Sequence, residues 1–490
     1  MALKSDVLAI RDATTMAGEE EQTGLKRSIS AAGLTAMGIG AIIGTGIYVV
    51  IGEGASVAGP AVILSFVLAG ITCMFSALSY AELASSVPVS GSAYSYSYAT
   101  MGELVAFIIG WDLILEYGVS CASIAIGWGG NFNAFLDAAF GFKIPDALAK
   151  SPGSGGYFNL PAVFIVLLVA ALLIRGTRES ATANLIMVGV KIVILVFFII
   201  IAFTSFHSSN FHNFNAKGTH GIVSGAGIIF FAYIGFDAVS TASEESRKPE
   251  RDLPIAVIGS LVVSTILYIL VAVAAIGVAP LSVLTKKSSD APLIDAFNYG
   301  IGWRWGTALL AVGAVIAITS VLLVIMYGQT RIFYSMARDG LLPKQMAQIN
   351  QRFGTPAGLT LVMGIIIAVL SALIPLSAII KLVNIGTLFA FVLVNAGVII
   401  LRRTRPDMKR PFRVPFSPVF PIIGLLLCFY LMHDLPLTTW YRFIVWLLVG
   451  LVVYFAYSRN HSKLRTQGAG SPSDLSGRPV TRLPRGMGRR

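Results

Sequence analysis

The sequence predicts an all-α integral membrane protein of twelve transmembrane helices, built as a 5+5 inverted repeat with breaks in helices 1 and 6, plus two further helices. Three observations carry this reading. Of 490 residues, 56% are hydrophobic and only 12% charged, about half the charged share of a soluble domain. Runs of eighteen or more mostly apolar residues recur along the chain, the signature of helical spans. Two of those runs are interrupted by small residues at matching places about 190 residues apart, and paired broken helices point to a solute site near the bilayer midplane.

The elements follow in order. Residues 1–30 are polar and mixed in charge and read as a cytoplasmic N-terminal segment. The apolar run that begins at Ala31 is too long for the core of a cleavable signal peptide. Spans near 31–58, 60–87, 102–128, 159–174 and 181–205 form a first five-helix repeat over 31–205. Spans near 220–243, 253–278, 306–330, 358–376 and 379–401 form a second over 220–401. Because five is odd, the second set enters the membrane from the opposite face. Pro411, Pro415, Pro418 and Pro421 mark the join to helices 11 and 12 over 416–457, since proline cannot continue a helix. The stretch 459–490, basic and rich in Gly, Ser and Pro, reads as a disordered cytoplasmic tail.

Charge sets the orientation. With the N-terminus inside, cytoplasmic segments hold 27 of the 36 Lys and Arg residues, the positive-inside bias. The excess of basic residues thus serves topology, not nucleic acid, and both termini are expected in the cytoplasm of a plasma-membrane protein. The cluster Arg402, Arg403, Arg405, Lys409, Arg410 and Arg413 reads as a topology determinant or, alternatively, a contact for anionic lipid. Two cytoplasmic links stand out: the uncharged, tyrosine-rich 88–98, expected to pack against the bundle, and the turn-forming 331–343 after span eight, with its Asp339-Gly340 and Pro343.

The breaks carry the chemistry. Residues Ile42, Ile43, Gly44, Thr45 and Gly46 interrupt helix 1, and N–H groups at the start of its second half suit a carboxylate. Carbonyls released around Phe231, Ala232 and Ile234 suit an ammonium group, since carbonyls only accept. Together the breaks suit a solute that carries both a carboxylate and an ammonium group. Glu82, Asp112, Glu116, Lys191 and Asp237 fall within spans, where each ionisable group is expensive and needs a partner, a cavity or a proton. Glu116 and Asp237 are deep enough to exchange protons, and Glu116 is also a candidate pocket residue. Glu82 lies near the inner interface. Lys191 lies about 18 Å beyond Glu179 along its helix. Cys73, Cys121 and Cys428 read as packing residues, and no His or Cys spacing fits a metal. No nucleotide loop appears, so no cofactor is expected, and a nucleophile or metal constellation that would make this an enzyme is absent.

The residues also carry a resemblance. Gly38-x-Gly40-x-x-x-Gly44-Thr45-Gly46, Ala58-Gly59-Pro60, the 88–98 link and Ala337-Arg338-Asp339-Gly340-Leu341-Leu342-Pro343 are similar to motifs of the amino acid–polyamine–organocation superfamily. Within it, residues 178–184 followed by Lys191 resemble bacterial homologues of the cationic amino acid transporters. The resemblance implies the inverted-repeat fold and uptake of amino acids by alternating access, often driven by protons, with exchange or non-transporting sensing as alternatives. In sodium-coupled relatives of this fold a cation sits between helices 1 and 8; an ammonium at Lys191, bonding carbonyls near the helix 1 break, would take its place.

Overall fold

A computed structural model describes residues 29–86, 92–176, 181–286, 289–350, 352–353 and 355–463. The N-terminal segment before Ile29, residues 88–91 of the tyrosine-rich link, residues 178–180 of the subgroup motif and the tail from 464 lie outside the described residues. Among the described residues the chain is helical, with no strand beyond two isolated bridges. Among the described residues eight helical stretches are long and apolar enough to cross a membrane, and three shorter helices are also apolar.

The helices are α1 Ala31–Ile42, α2 Ile51–Ala58, α3 Val62–Ser86, α4 Ser92–Thr100, α5 Glu103–Phe140 and α6 Asp146–Ala149. Next come α7 Leu160–Arg175, α8 Ala181–Thr204, α9 Gly218–Ile229, α10 Pro249–Val278, α11 Leu281–Leu284 and α12 Pro292–Ile301. The remainder are α13 Arg304–Arg338, α14 Ala357–Leu373, α15 Leu376–Thr404, α16 Val419–His433, α17 Leu437–Val453 and α18 Arg459–His461. The outer faces are apolar: Phe164, Val193, Ile365, Leu426 and Val452 are exposed, while Lys191 and Asp112 are buried. Apolar surface turned outward and charge turned inward is the arrangement a bilayer selects. The molecule is a multi-pass membrane protein.

Several expected boundaries shift. Helix α13 runs on to Arg338 instead of giving way to a loop at 331, because Ile332, Phe333 and Met336 of the extra turns are buried. The turn then falls at Gly340 (φ +83°), where a Cβ would lie 2.2 Å from the His461 carbonyl oxygen. Residues 459–463 are not part of a disordered tail. Ser458 Oγ donates to Leu341 O (2.6 Å), Ser462 to the buried Glu103 carboxylate, and Lys463 N–H to Asp339 O (3.0 Å). Those contacts hold the last helix over the turn. The link after α3 is itself helical where described, and Tyr94, Tyr96 and Tyr98 are buried, so it packs on the bundle as its composition implies.

Glu82 anchors the link that follows α15. Its carboxylate accepts from Arg402 Nε (2.8 Å), Arg402 Nη2 (2.5 Å) and the Val414 N–H (2.7 Å), with Arg410 Nε at 3.6 Å. Arg410 also donates to Leu401 and Arg405 carbonyls, and Lys409 pairs with Glu250. Half of the basic cluster is thus spent on folding the 402–414 link. At the same end, Ile29 pairs with Ser246, and Arg247 N–H donates to Ile29 O (2.9 Å), tying the chain before α1 to the chain before α10.

Candidate solute site where two helices break

Helix α1 stops at Ile42, and Ile43 turns to extended backbone (φ −77°, ψ 103°). After Gly44 and Thr45 the chain resumes as a wide π turn, Gly46–Val50, that leads into α2. The second break begins where α9 ends at Ile229. A tight 3-10 turn, Phe230–Tyr233, follows, and Ile234 is extended (φ −61°, ψ 136°). Gly235 has φ +115°, and a Cβ there would sit 2.7 Å from Ala41 O, so both conformation and space require glycine. Beyond it, Phe236–Glu245 continues as a 3-10 helix rather than the α-helix the hydrophobic run implies. Ser240 Oγ takes the Asp237 carbonyl (2.5 Å), a local bond that competes with α-helical pairing.

The two breaks touch. A Cβ on Gly46 would fall 2.3 Å from Ala232 Cα, and one on Gly44 would fall 2.7 Å from a Val321 methyl. Several of the carbonyls that the broken helices leave unpaired are met by side chains from elsewhere. Lys191 Nζ donates to Gly40 O (2.5 Å) in the last turn of α1, the favourable end of a helix for a cation. Asn384 Nδ2 donates to Gly227 O (2.6 Å) and Ile228 O (3.1 Å) in the last turn of α9. Tyr268 Oη lies 2.8 Å from Ile42 O and 3.0 Å from Ala232 O, so one phenol spans both breaks.

Between the breaks lies a small, partly open cavity. Its polar lining is Gly44, Thr45, Gly46 and Ser120. Its apolar lining comes from Ala41, Ile42 and Ile124 on one side and Phe231, Ile234, Val321 and Ile325 on the other. No lining residue carries a charge. Thr45 Oγ1 and Ser120 Oγ are buried without a hydrogen-bond partner, as is Tyr48 Oη in the adjoining π turn. Buried polar groups left unmet by the protein call for a ligand or ordered water.

Of the residues expected here, Ile42, Gly44, Thr45, Gly46, Phe231 and Ile234 line the cavity. Ile43 and Ala232 are buried beside it and shape the breaks without lining it. Glu116 does not line it either; it stands one turn along α5 from Ser120. Depth in the membrane was its signal, and depth does not fix which way a side chain faces. Asp237 accepts from Tyr117 Oη (3.2 Å). Ala41, Ser120, Ile124, Val321 and Ile325 lacked a sequence signal, since small and aliphatic residues fill every span. Tyr268 and Asn384 had one, a hydrogen-bonding group inside an apolar run. Among the described residues no cluster of His, Cys, Asp or Glu could hold a metal.

Two discontinuous membrane helices meeting around an uncharged central cavity define a transporter rather than an enzyme. The profile of the amino acid permease family matches residues 29–454, and the chain belongs to that family, within the amino acid–polyamine–organocation superfamily. It is 46% identical over 453 residues to a branched-chain amino acid permease of Bacillus subtilis, covering 92% of this chain and 97% of that protein. A methylthioribose transporter of the same organism is 44% identical over the same shares. The vacuolar cationic amino acid transporter 4 of Arabidopsis thaliana is 35% identical over 78% of this chain and 64% of its own length.

Proposed function

We propose that this protein imports amino acids with small or branched aliphatic side chains across the plasma membrane, by alternating access and in symport with protons. The observation that carries the substrate class is the cavity wall. Backbone groups at the first break suit a carboxylate, carbonyls at the second suit an ammonium, and apart from Thr45 and Ser120 the side chains of the lining are apolar. A lysine or arginine side chain would lose its hydration there with no carboxylate on the lining to receive it, and burying an unpaired charge is expensive. The similarity to a branched-chain amino acid permease agrees with this. In this reading twelve spans form a 5+5 inverted repeat with two appended helices, and both termini are cytoplasmic. Glu116 carries the proton, with Asp237 as the other candidate, and Lys191 stands where a metal ion would otherwise hold α1.

Competition decides the substrate class. Uptake of labelled leucine into proteoliposomes should be blocked by alanine, valine and isoleucine and spared by arginine and lysine. Block by arginine would overturn the aliphatic reading, and block by methylthioribose alone would replace amino acids altogether. An inward proton gradient should accelerate that uptake and a sodium gradient should not.

A further inference from the structure

The face of α5 that reaches the cavity at Ser120 continues through Glu116 to Asp112. Four-residue spacing keeps all three on one stripe, with about 6 Å of rise between neighbours. All are at most 2% exposed. Ser120 Oγ, Glu116 Oε2 and both carboxyl oxygens of Asp112 have no hydrogen-bond partner within the protein. Orphans of this kind are few in native interiors, and water is their usual partner where space allows. Opposite Asp112, α15 presents a bare glycine: a Cβ on Gly386 would lie 2.8 Å from Asp112 Oδ1. The neighbouring Thr387 hydroxyl donates to Val383 O (3.1 Å) on its own helix. The stripe therefore leads away from the cavity toward the Glu103 end of α5, and the missing side chain at Gly386 lets α15 pack directly against Asp112 Oδ1. The titratable groups facing Asp112 are Glu116 on its own helix and, beyond that, Asp237 with the phenols of Tyr117 and Tyr80.

We propose that Ser120, Glu116 and Asp112 form a hydrated proton path from the cavity to the inner face, with Asp112 as its inner station. This rests on the proton-coupled reading above and on the orientation that places Glu103 at the cytoplasm. Glu116 gives its proton to a bridging water as that water passes one to the Asp112 carboxylate. Asp112 then releases it to inner water. One O–H bond breaks for each that forms, and Glu116, left as carboxylate, is reloaded through Ser120 from the cavity in the next cycle.

The test is leucine uptake by the full chain in proteoliposomes at fixed outer pH, with the inner pH stepped from alkaline to acid. Counterflow at equal pH is measured beside it. Wild type should slow as the inner pH falls, because release to the inside becomes unfavourable. Asp112→Asn should flatten that response and cut gradient-driven uptake about tenfold, while counterflow, which needs no net release, falls less. Infrared difference spectra between acid and alkaline samples should lose one carboxyl carbonyl-stretch band in Asp112→Asn, which a purely structural aspartate would not produce. Wild-type uptake that ignores the gradient sinks proton coupling itself. A responsive wild type with an equally responsive Asp112→Asn, or an unaltered carboxyl band, overturns the path and leaves Glu116 coupling standing. If Asp112→Asn is not recovered as monodisperse protein, Gly386→Ala serves instead. Its methyl would lie 2.8 Å from Asp112 Oδ1, must displace that carboxyl and should flatten the inner-pH response; an undiminished response there also overturns the path.

Discussion

Gly46→Ala tests the geometry of the two breaks with a single methyl. Built onto the backbone, that methyl would lie 2.3 Å from Ala232 Cα and 2.5 Å from Ala232 Cβ. Carbon atoms pack at about 3.5–4.0 Å, so the two chains must separate by roughly 1.2 Å or more before the methyl is accommodated. Overpacking of this kind costs about 1–3 kcal/mol in stability. The larger effect falls on binding. A hydrogen bond of ordinary length stretched by that amount is no longer one, and a bond to a charged group contributes about 1.5–3 kcal/mol. Losing one such bond to the substrate carboxylate or ammonium weakens affinity about 10- to 150-fold. Calorimetry with leucine on purified, monodisperse protein measures this directly. Gly358→Ala is the control, because nothing lies within 4 Å of its Cβ position and alanine favours the helix by about 0.5–1 kcal/mol. Unchanged affinity in Gly46→Ala would mean that the substrate does not bind between the breaks.

Four more expectations follow from the same contacts. Glu82→Ala strips partners from Arg402, Arg410 and the Val414 N–H, and breaking a buried ion pair from one side costs about 3–5 kcal/mol. A large drop in thermal midpoint is expected, and a drop within error would show the link to be held by other contacts. Lys191→Ala should abolish transport by freeing the Gly40 carbonyl, and restoration of uptake by sodium in this variant would show that a metal ion can take the ammonium's place. Single cysteines at His212 and Tyr157 should react with an impermeant thiol reagent from outside while one at Arg405 should not; the opposite pattern reverses the orientation. Asp290, between α11 and α12, has its carboxyl pushed up to about 6, chiefly by desolvation and further by Glu53, Asp146 and Asp295, against Lys150. A raised carboxyl stabilises the fold most below its unfolded value near 3.8 and loses that contribution as pH climbs through 6. Asp290→Asn should therefore raise the thermal midpoint more at pH about 7.5 than at pH about 5, and an equal gain at both would discount the desolvation of this group.

How much of this was legible in the sequence depended on whether the signal was local. The breaks announced themselves because Gly44, Thr45 and Gly46 interrupt an apolar run. Lys191 could be placed at the helix 1 break through the resemblance, which puts a cation between helices 1 and 8; by itself a lone ammonium in a span says only that it needs acceptors. Glu82, near a span end, was recognisable as interfacial. What stayed hidden was sideways information. Glu116 and Ser120 are one turn apart on the same helix, yet only Ser120 reaches the cavity, and no hydropathy pattern separates them. Val321 and Ile325 are indistinguishable from other aliphatic residues of α13 until Gly44 is seen pressed against Val321. The 3-10 form of 236–245 goes with a local side-chain bond, Ser240 back to the Asp237 carbonyl, which hydropathy does not register, and the helical extension to Arg338 was set by burial of its inner turns.

A phenol has a single proton to give, and Tyr268 stands within bonding distance of two carbonyls, Ile42 O and Ala232 O. It can satisfy either but not both with a full bond. The pair of breaks thus behaves like a two-seat bench with one occupant, and sliding from one seat to the other exchanges one neutral hydrogen bond for an equivalent one. A donor arriving from outside the protein, such as a protonated amine, completes the seating and removes the deficit. Built into the frame is a standing shortage of one donor, at the place where the two broken helices meet.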